Sequence, residues 1–312
     1  MDYKIGELIP TRLAYGQALA ELGQVNRQIV VLDAEVKNST YTELFQTAFP
    51  ERFLEMFIAE QNMVGVALGL SKCNKIPFVS TFAAFLTRAF DQLRMAAYSQ
   101  PNLKICGSHA GVSIGEDGSS QMGLEDMAMM RALPGSTVLY PADAVATNKL
   151  VKLIADHQGL DYIRTTRPAT PVIYKSDTEF NLGGSQTLIQ SATDRLTIVA
   201  AGITLHQALI AADKLEKAKI PVRVIDTYSI KPLDVTGLKA AAQVTNKLVL
   251  TVEDHRVEGG LGEAVAGALA PFGIKVYRLG VDKIPGSGKA DELMAFENIS
   301  ANAIVRMVKS II

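Results

Sequence analysis

Tryptophan is missing from this chain, and cysteine and histidine are scarce. The two cysteines, Cys73 and Cys106, form no Cys-x-x-Cys and are too few for a disulfide framework. They read as buried, reduced thiols, and a cytoplasmic location is the expectation. No two of the four histidines have the spacing of metal ligands, which excludes a zinc site. Excess charge of either sign is also lacking. With 31 basic and 32 acidic residues the net charge is −1, so nothing electrostatic favours nucleic acid or a membrane surface. No apolar run reaches the ~18 residues of a membrane span. The opening MDYKIGELIPTRLAYG has no basic segment followed by an apolar core, so no signal peptide is expected.

What is present is an α/β pattern. The 312 residues, 48% of them apolar, suffice for two domains with full cores. Segments 28–33, 76–81, 103–108, 136–141 and 160–165 are short, apolar and bounded by turn formers, as buried strands are. Amphipathic stretches lie between them: Pro10 to Leu22, Glu60 to Cys73, Ala83 to Tyr98, Leu124 to Leu133 and Asp143 to His157. Such alternation predicts a parallel sheet covered by helices on both faces. Residues 166–185, rich in Pro, Thr, Asp and Gly, read as a connector containing a hairpin. A second series follows, with strands at 196–202, 222–228, 247–254 and 274–280 and helices starting near Leu205, Val235, Leu261 and Ser300. The expected fold is therefore α/β with two domains, 1–175 and 176–312, each a mostly parallel sheet flanked by helices.

Open α/β sheets bind ligands at strand ends, and four features fall there. Glu60 opens a helix, a position where glutamate is ordinarily solvated and favoured by the helix dipole. Here Phe57, Ile58 and Ala59 precede it and Met63, Val64, Val66, Ala67 and Leu68 follow. A carboxyl group in so apolar a setting tends to keep its proton or share one with a ligand nitrogen. Phe82, Phe85 and Phe90 surround a strand-to-helix junction. Aromatics at helical spacing more often fill a core than hold a ligand, but Phe82 and Phe85 stand just past a strand end, where a flat heterocycle can stack. The loop GSHAGVSIGEDGSSQ is too long and polar for a tight turn, and its His109, Asp117 and Gln121 offer directional partners to sugar hydroxyls. Arg12 and Arg167, each unremarkable as a surface residue, together with Ser39 make a candidate phosphate clamp. The GGLGE at 259–263 misses the Gly-x-Gly-x-x-Gly spacing and reads as a turn into a helix.

Six strings in order, TRLAYGQAL, KNSTYTELF, FIAEQNMVGVALG, STFAAFLTRAFDQLRMAA, GSHAGVSIGEDGSSQMGLEDMAMMR and IRTTRP, closely resemble transketolase, as do TVEDH, EGGLGEAV and VDKIPGSGK further on. The resemblance covers essentially the whole chain. It implies the pyrimidine-binding and carboxyl-terminal domains of that family without the diphosphate-binding domain, whose Gly-Asp-Gly signature is absent from the sequence. It also implies a two-carbon ketol transfer from a ketose phosphate to an aldose phosphate, a pentose phosphate pathway step dependent on thiamine diphosphate. Glu60 matches the glutamate that hydrogen-bonds N1′ of the cofactor's aminopyrimidine, and Phe82 and Phe85 match the aromatics against that ring. Arg12, Ser39, His109 and Arg167 match the residues that bind the sugar's phosphate. Asp117 matches the aspartate on the 2-hydroxyl, and Glu60, His109 and Asp117 are the catalytic candidates. Gln121 stands where many relatives carry histidine, so a contact to cofactor or hydroxyl is expected but no proton shuttle. The resemblance further implies a partner chain holding the diphosphate and Mg²⁺ or Ca²⁺, an α2β2 assembly, and an apolar interface around Glu60 to Leu70. No metal ligand is expected in this chain. The β subunit of a 2-oxo acid dehydrogenase shares the two-domain make-up but lacks this sugar loop, and deoxyxylulose-phosphate synthase differs in the arginine and loop strings. A non-catalytic chain that has lost its partner would be expected to have lost some of Glu60, Asp117 and the two arginines.

Overall fold

A computed structural model describes residues 3–312. Along the chain, strand β1 (Leu8–Pro10) leads into helix α1 (Thr11–Val25), and β2 (Ile29–Asp33) is followed by α2 (Lys37–Thr40), α3 (Glu43–Ala48) and β3 (Phe53–Glu55). Next come α4 (Glu60–Lys72), β4 (Ile76–Phe82), a 3-10 turn at Phe85–Ala89, α5 (Phe90–Tyr98) and β5 (Leu103–Ser108). The loop after β5 holds a short 3-10 turn at Val112–Ile114, then come α6 (Asp126–Ala132), β6 (Ser136–Leu139), α7 (Ala144–Asp156), β7 (Leu160–Arg164) and β8 (Ala169–Pro171). The remainder is β9 (Gln186–Ile189), β10 (Thr197–Ala200), α8 (Ile203–Lys217), β11 (Arg223–Asp226), β12 (Ser229–Lys231), α9 (Val235–Gln243), β13 (Leu248–Arg256), α10 (Leu261–Leu269), β14 (Lys275–Val281), α11 (Ala290–Phe296) and α12 (Ala301–Ile311).

Two large sheets result, seven-stranded in the order β12-β6-β7-β5-β4-β2-β3 and five-stranded in the order β14-β13-β10-β11-β9. All pairings are parallel except those of β12 with β6 and β9 with β11. Period-two alternation sorts the side chains between the two faces of the larger sheet. Val30 and Leu32 join Met63, Val64 and Ala67 of α4 and Leu93 and Ala96 of α5 on one face. Ile29 and Val31 join Ala14, Tyr15 and Leu19 of α1 and Leu150 and Ile154 of α7 on the other. The predicted strands and helices are found within a few residues of their expected bounds, since buried β-branched runs and amphipathic helices are the strongest sequence signals.

Cys106 is buried as expected but Cys73 is exposed, and two expectations about the strands also need correction. No hairpin forms within 166–185: β8 pairs instead with β1, Leu8 opposite Pro171 and Pro10 opposite Ala169. Proline has no N–H to give a ladder, so this segment suits a short edge pairing. The segment read as one strand over 222–228 ends at Asp226, and the chain then adds β12 to the edge of the larger sheet, Ser229 opposite Leu139. The two sheets therefore share both chain and core, with Val199, Ile225 and Val249 in the same cluster as Val79 and Ile105.

Candidate active site

Because β2, β4, β5 and β7 run parallel, their carboxyl ends share one rim, and most of the candidate residues issue from it. After β2, the buried Asp33 carboxylate accepts the Val36 N–H (2.7 Å) and the hydroxyls of Thr40 (2.7 Å) and Thr42 (2.8 Å), which pins the turn carrying Ser39. Burial raises the Asp33 carboxyl to about 6, against the pull of those donors. Arg12, at the start of α1, donates from Nη1 to the Ser39 carbonyl at 2.8 Å and lies 5.1 Å from the Tyr41 ring centre.

Glu60 is 3% exposed at the first position of α4. Its setting is not purely apolar, because Arg88, from the turn after β4, ion-pairs with its Oε1. The guanidinium also lies over the Phe85 ring, 4.3 Å from its centre, and its backbone carbonyl accepts from Gln61 Nε2 at 3.0 Å. Phe82 stacks on Phe85 at 5.1 Å and 16°, and on His109 at 3.8 Å and 14°. Through Arg88, the rings thus connect the carboxylate to the loop after β5.

His109 takes a positive φ of 55° and meets the Ser108 hydroxyl through Nδ1 at 3.0 Å. Burial foremost, then the charges of Arg12 and Arg167, lower its pKa to about 3, so it is a neutral imidazole at physiological pH. Arg167 Nη1 donates to the Ile114 carbonyl and to Asp117 Oδ1, both at 3.0 Å. The structure brings Arg12, Ser39, His109, Asp117 and Arg167 together, and links Glu60, Phe82 and Phe85 to them through the Phe82–His109 stack. The Gln121 side chain and the Ser39 hydroxyl make no hydrogen bond to these groups among the described residues.

Several residues that position the site escaped the sequence reading. The Asp254 carboxylate accepts the N–H groups of Val112 (2.7 Å) and Ser113 (3.1 Å), fastening the sugar loop to the end of β13. A Cβ on Gly111, at φ +85°, would fall 2.1 Å from Asp254 Oδ2, so this clasp needs glycine there. Beneath it, fully buried Arg164 donates to Asp126, to the Gly123 carbonyl (2.8 Å) and to the Asp254 carbonyl (2.9 Å). The available signals were an acid in TVEDH on a strand otherwise reading as buried, and a basic residue three places after Phe85. The GGLGE segment is indeed a turn into α10, and Glu253 accepts the N–H groups of Leu261 (2.6 Å) and Gly262 (2.8 Å). That helix end is satisfied from within the protein, which disfavours a dinucleotide there.

The fold and site together define a parallel α/β protein with a carboxylate-and-aromatic cleft beside a basic pocket at the strand ends. Residues 7–172 match the family model of the transketolase pyrimidine-binding domain, and residues 185–304 that of the transketolase carboxyl-terminal domain. Human transketolase is 51% identical over this whole chain, which spans 50% of that protein's length. A solved structure described as a split-gene transketolase in an inactive β4 tetramer superposes with a TM-score of 0.88 at 44% identity, covering 97% of each chain. Transketolase from Campylobacter jejuni shares the fold at 22% identity, with a TM-score of 0.85 over 98% of this chain and 47% of that one. The chain belongs to the transketolase family.

Proposed function

We propose that this chain is the carboxyl-terminal subunit of a split transketolase, moving a two-carbon ketol unit between sugar phosphates in the pentose phosphate pathway together with a separate diphosphate-binding chain. The observation that carries the reading is the buried Glu60 carboxylate at the head of a stacked aromatic wall that leads into an arginine pocket. These residues fit the pyrimidine end of thiamine diphosphate. A buried carboxylate stands near the Phe82 and Phe85 rings, and its one hydrogen-bond partner among the described residues is the half-exposed Arg88 guanidinium, which a ligand nitrogen would have to displace. When bound, thiamine diphosphate supplies the electron sink that lets a ketose C2–C3 bond break and carries the two-carbon unit.

Glu60 holds a proton at the pyrimidine N1′, and its burial keeps that hydrogen bond strong. Phe82 and Phe85 exclude water from the ring face. Arg12, Arg167 and the Ser39 segment hold the sugar's phosphate, with neutral His109 as a donor rather than a charge. Asp117, whose Oδ1 is taken by Arg167, offers Oδ2 to the 2-hydroxyl. Gln121 serves as a further polar contact at the edge of the loop. Mg²⁺ or Ca²⁺ and the diphosphate are assigned to the partner chain, where the Gly-Asp-Gly signature would lie. The two domains, divided near residue 175, would join the partner in an α2β2 assembly in the cytoplasm.

The surface near Glu60 supports such pairing. Phe57 and Ile58 are 64% and 73% exposed, and Gly65 and Gly69 present open backbone on α4. The split-gene relative, described as inactive in its β4 form, supports a second chain. No helix among the described residues is long and apolar enough to cross a membrane. The test is calorimetric titration of thiamine diphosphate with Mg²⁺ into this chain alone and into its mixture with a diphosphate-binding chain. Binding at least about tenfold tighter in the mixture is expected; equal affinity in the two would contradict the shared site.

A further inference from the structure

The pocket that holds the two arginines contains a third cation, and it comes from the opposite end of the chain. Arg12, Glu116, Arg167 and Lys289 line one cavity of about 350 Å³, room for a phosphate and the carbons next to it. The segment carrying Lys289 is clasped to the sugar loop. Ser287 Oγ donates to the Glu116 carbonyl at 2.6 Å, and a Cβ on Gly115 would come within 3.2 Å of the Gly288 carbonyl. Gly115 sits at φ +85°, a turn that favours glycine, and a side chain there would also crowd this approach.

The cavity's positive charge is incompletely answered. Lys289 has no hydrogen bond or ion pair from its side chain among the described residues, and Arg12 Nε is buried without a partner. Burial, and then the neighbouring Arg167, lower the Arg12 pKa. Of the acids, Asp117 is already engaged by Arg167, which leaves Glu116 as the one carboxylate lining the cavity. Arg167 lies close enough to Arg12 to lower its pKa, so an entering dianion would gain from both guanidiniums, and the exposed Lys289 stands on the same rim to meet it.

We propose that Lys289 is a third phosphate-binding group, through which the carboxyl-terminal part of the chain selects the phosphorylated end of the substrate. This rests on the reading of the pocket as a sugar-phosphate site. A lysine is a point charge on a flexible four-carbon stem, so it can follow phosphates that end at different depths, whereas the arginines fix a planar geometry.

The experiment compares wild type, Lys289→Gln and Lys289→Arg in two ways. Ribose 5-phosphate and ribose are titrated separately into the full chain, and the KM and kcat for ribose 5-phosphate are measured in the mixture with the diphosphate-binding chain. Lys289→Gln should weaken ribose 5-phosphate about three- to tenfold in both assays, leave ribose unchanged and keep kcat within about twofold; Lys289→Arg should recover most of the loss. Wild-type affinity for ribose 5-phosphate in Lys289→Gln would overturn the assignment, as would equal losses for ribose and its phosphate, which mark general damage to the loop. A wild-type chain with no preference for the phosphate over ribose would instead overturn the underlying reading of the pocket.

Discussion

The two ends of the site are built differently. The proposed phosphate pocket is an open depression lined by this chain alone, with Arg12 from α1, Arg167 from the stretch after β7, and Lys289 on a segment clasped to the loop after β5. The end proposed for the pyrimidine is less complete. Glu60 is buried, yet its carboxylate is held by a half-exposed arginine, and the surface beyond it carries exposed Phe57 and Ile58. A pocket with its own walls suits a ligand that comes and goes. A carboxylate with a provisional partner on an apolar rim suits a site finished by another molecule.

The deepest test of that contrast is at Glu60. In the mixed enzyme, Glu60→Gln should leave less than about a tenth of the wild-type rate, because losing activation of the cofactor removes several kcal/mol from the transition state. Steady-state turnover with saturating cofactor checks this. Next is the clasp that ties the two parts of the chain together. Asp254→Ala strands the buried N–H groups of Val112 and Ser113, so denaturant unfolding should show a loss of about 3 kcal/mol. A loss below about 1 kcal/mol would mean the loop does not depend on it. At the arginine pocket, Arg167→Ala should raise the KM for a phosphorylated acceptor about tenfold while leaving the thiamine diphosphate requirement unchanged.

At the end proposed for the pyrimidine, Arg88→Ala should have a smaller and opposite effect. If the guanidinium only occupies Glu60 until the pyrimidine arrives, the half-saturating thiamine diphosphate concentration should fall about two- to fivefold, the range expected of a half-exposed pair. A rise would make Arg88 a holder of the cofactor. A further effect concerns His109. Its pKa in the folded chain, about 3, lies below the ordinary value near 6.5. Its stabilising contribution is therefore complete above pH 6.5 and lost as the pH falls toward 3. The stability advantage of wild type over His109→Gln should shrink by on the order of 1 kcal/mol between pH 6.5 and 5; a flat difference would place the imidazole in a wetter setting.

Legibility in the sequence followed physical range. The strands and helices could be read because burial imposes local periodicity on residues such as Ile29 to Asp33 and Ala144 to Asp156. The groups that touch ligands in the proposed reading could be picked out because chemistry restricts their types and strand ends restrict their places. Groups that act across the fold were not readable: Asp254 meets Val112 from 142 positions away, and Lys289 comes to line the arginines' pocket through the clasp at Glu116. The pairing of β8 with β1 and the crossing of β12 into the larger sheet escaped for the same reason, since nothing within Ala169–Pro171 or Ser229–Lys231 names a partner. Arg88 shows a different failure. Its neighbours Phe82 and Phe85 drew notice as rings, and an adjacent arginine reads as an ordinary surface cation until its reach to Glu60 is seen.

The central claim is that this chain supplies the pyrimidine and phosphate half of a transketolase site and needs a second chain for the rest. The most direct measurement is ketol transfer from xylulose 5-phosphate to ribose 5-phosphate, with thiamine diphosphate and Mg²⁺, by this chain alone, the diphosphate-binding chain alone, and the mixture. Turnover in the mixture and in neither chain separately is the predicted result. Silence in the mixture, with both chains folded and bound to each other, would contradict the account.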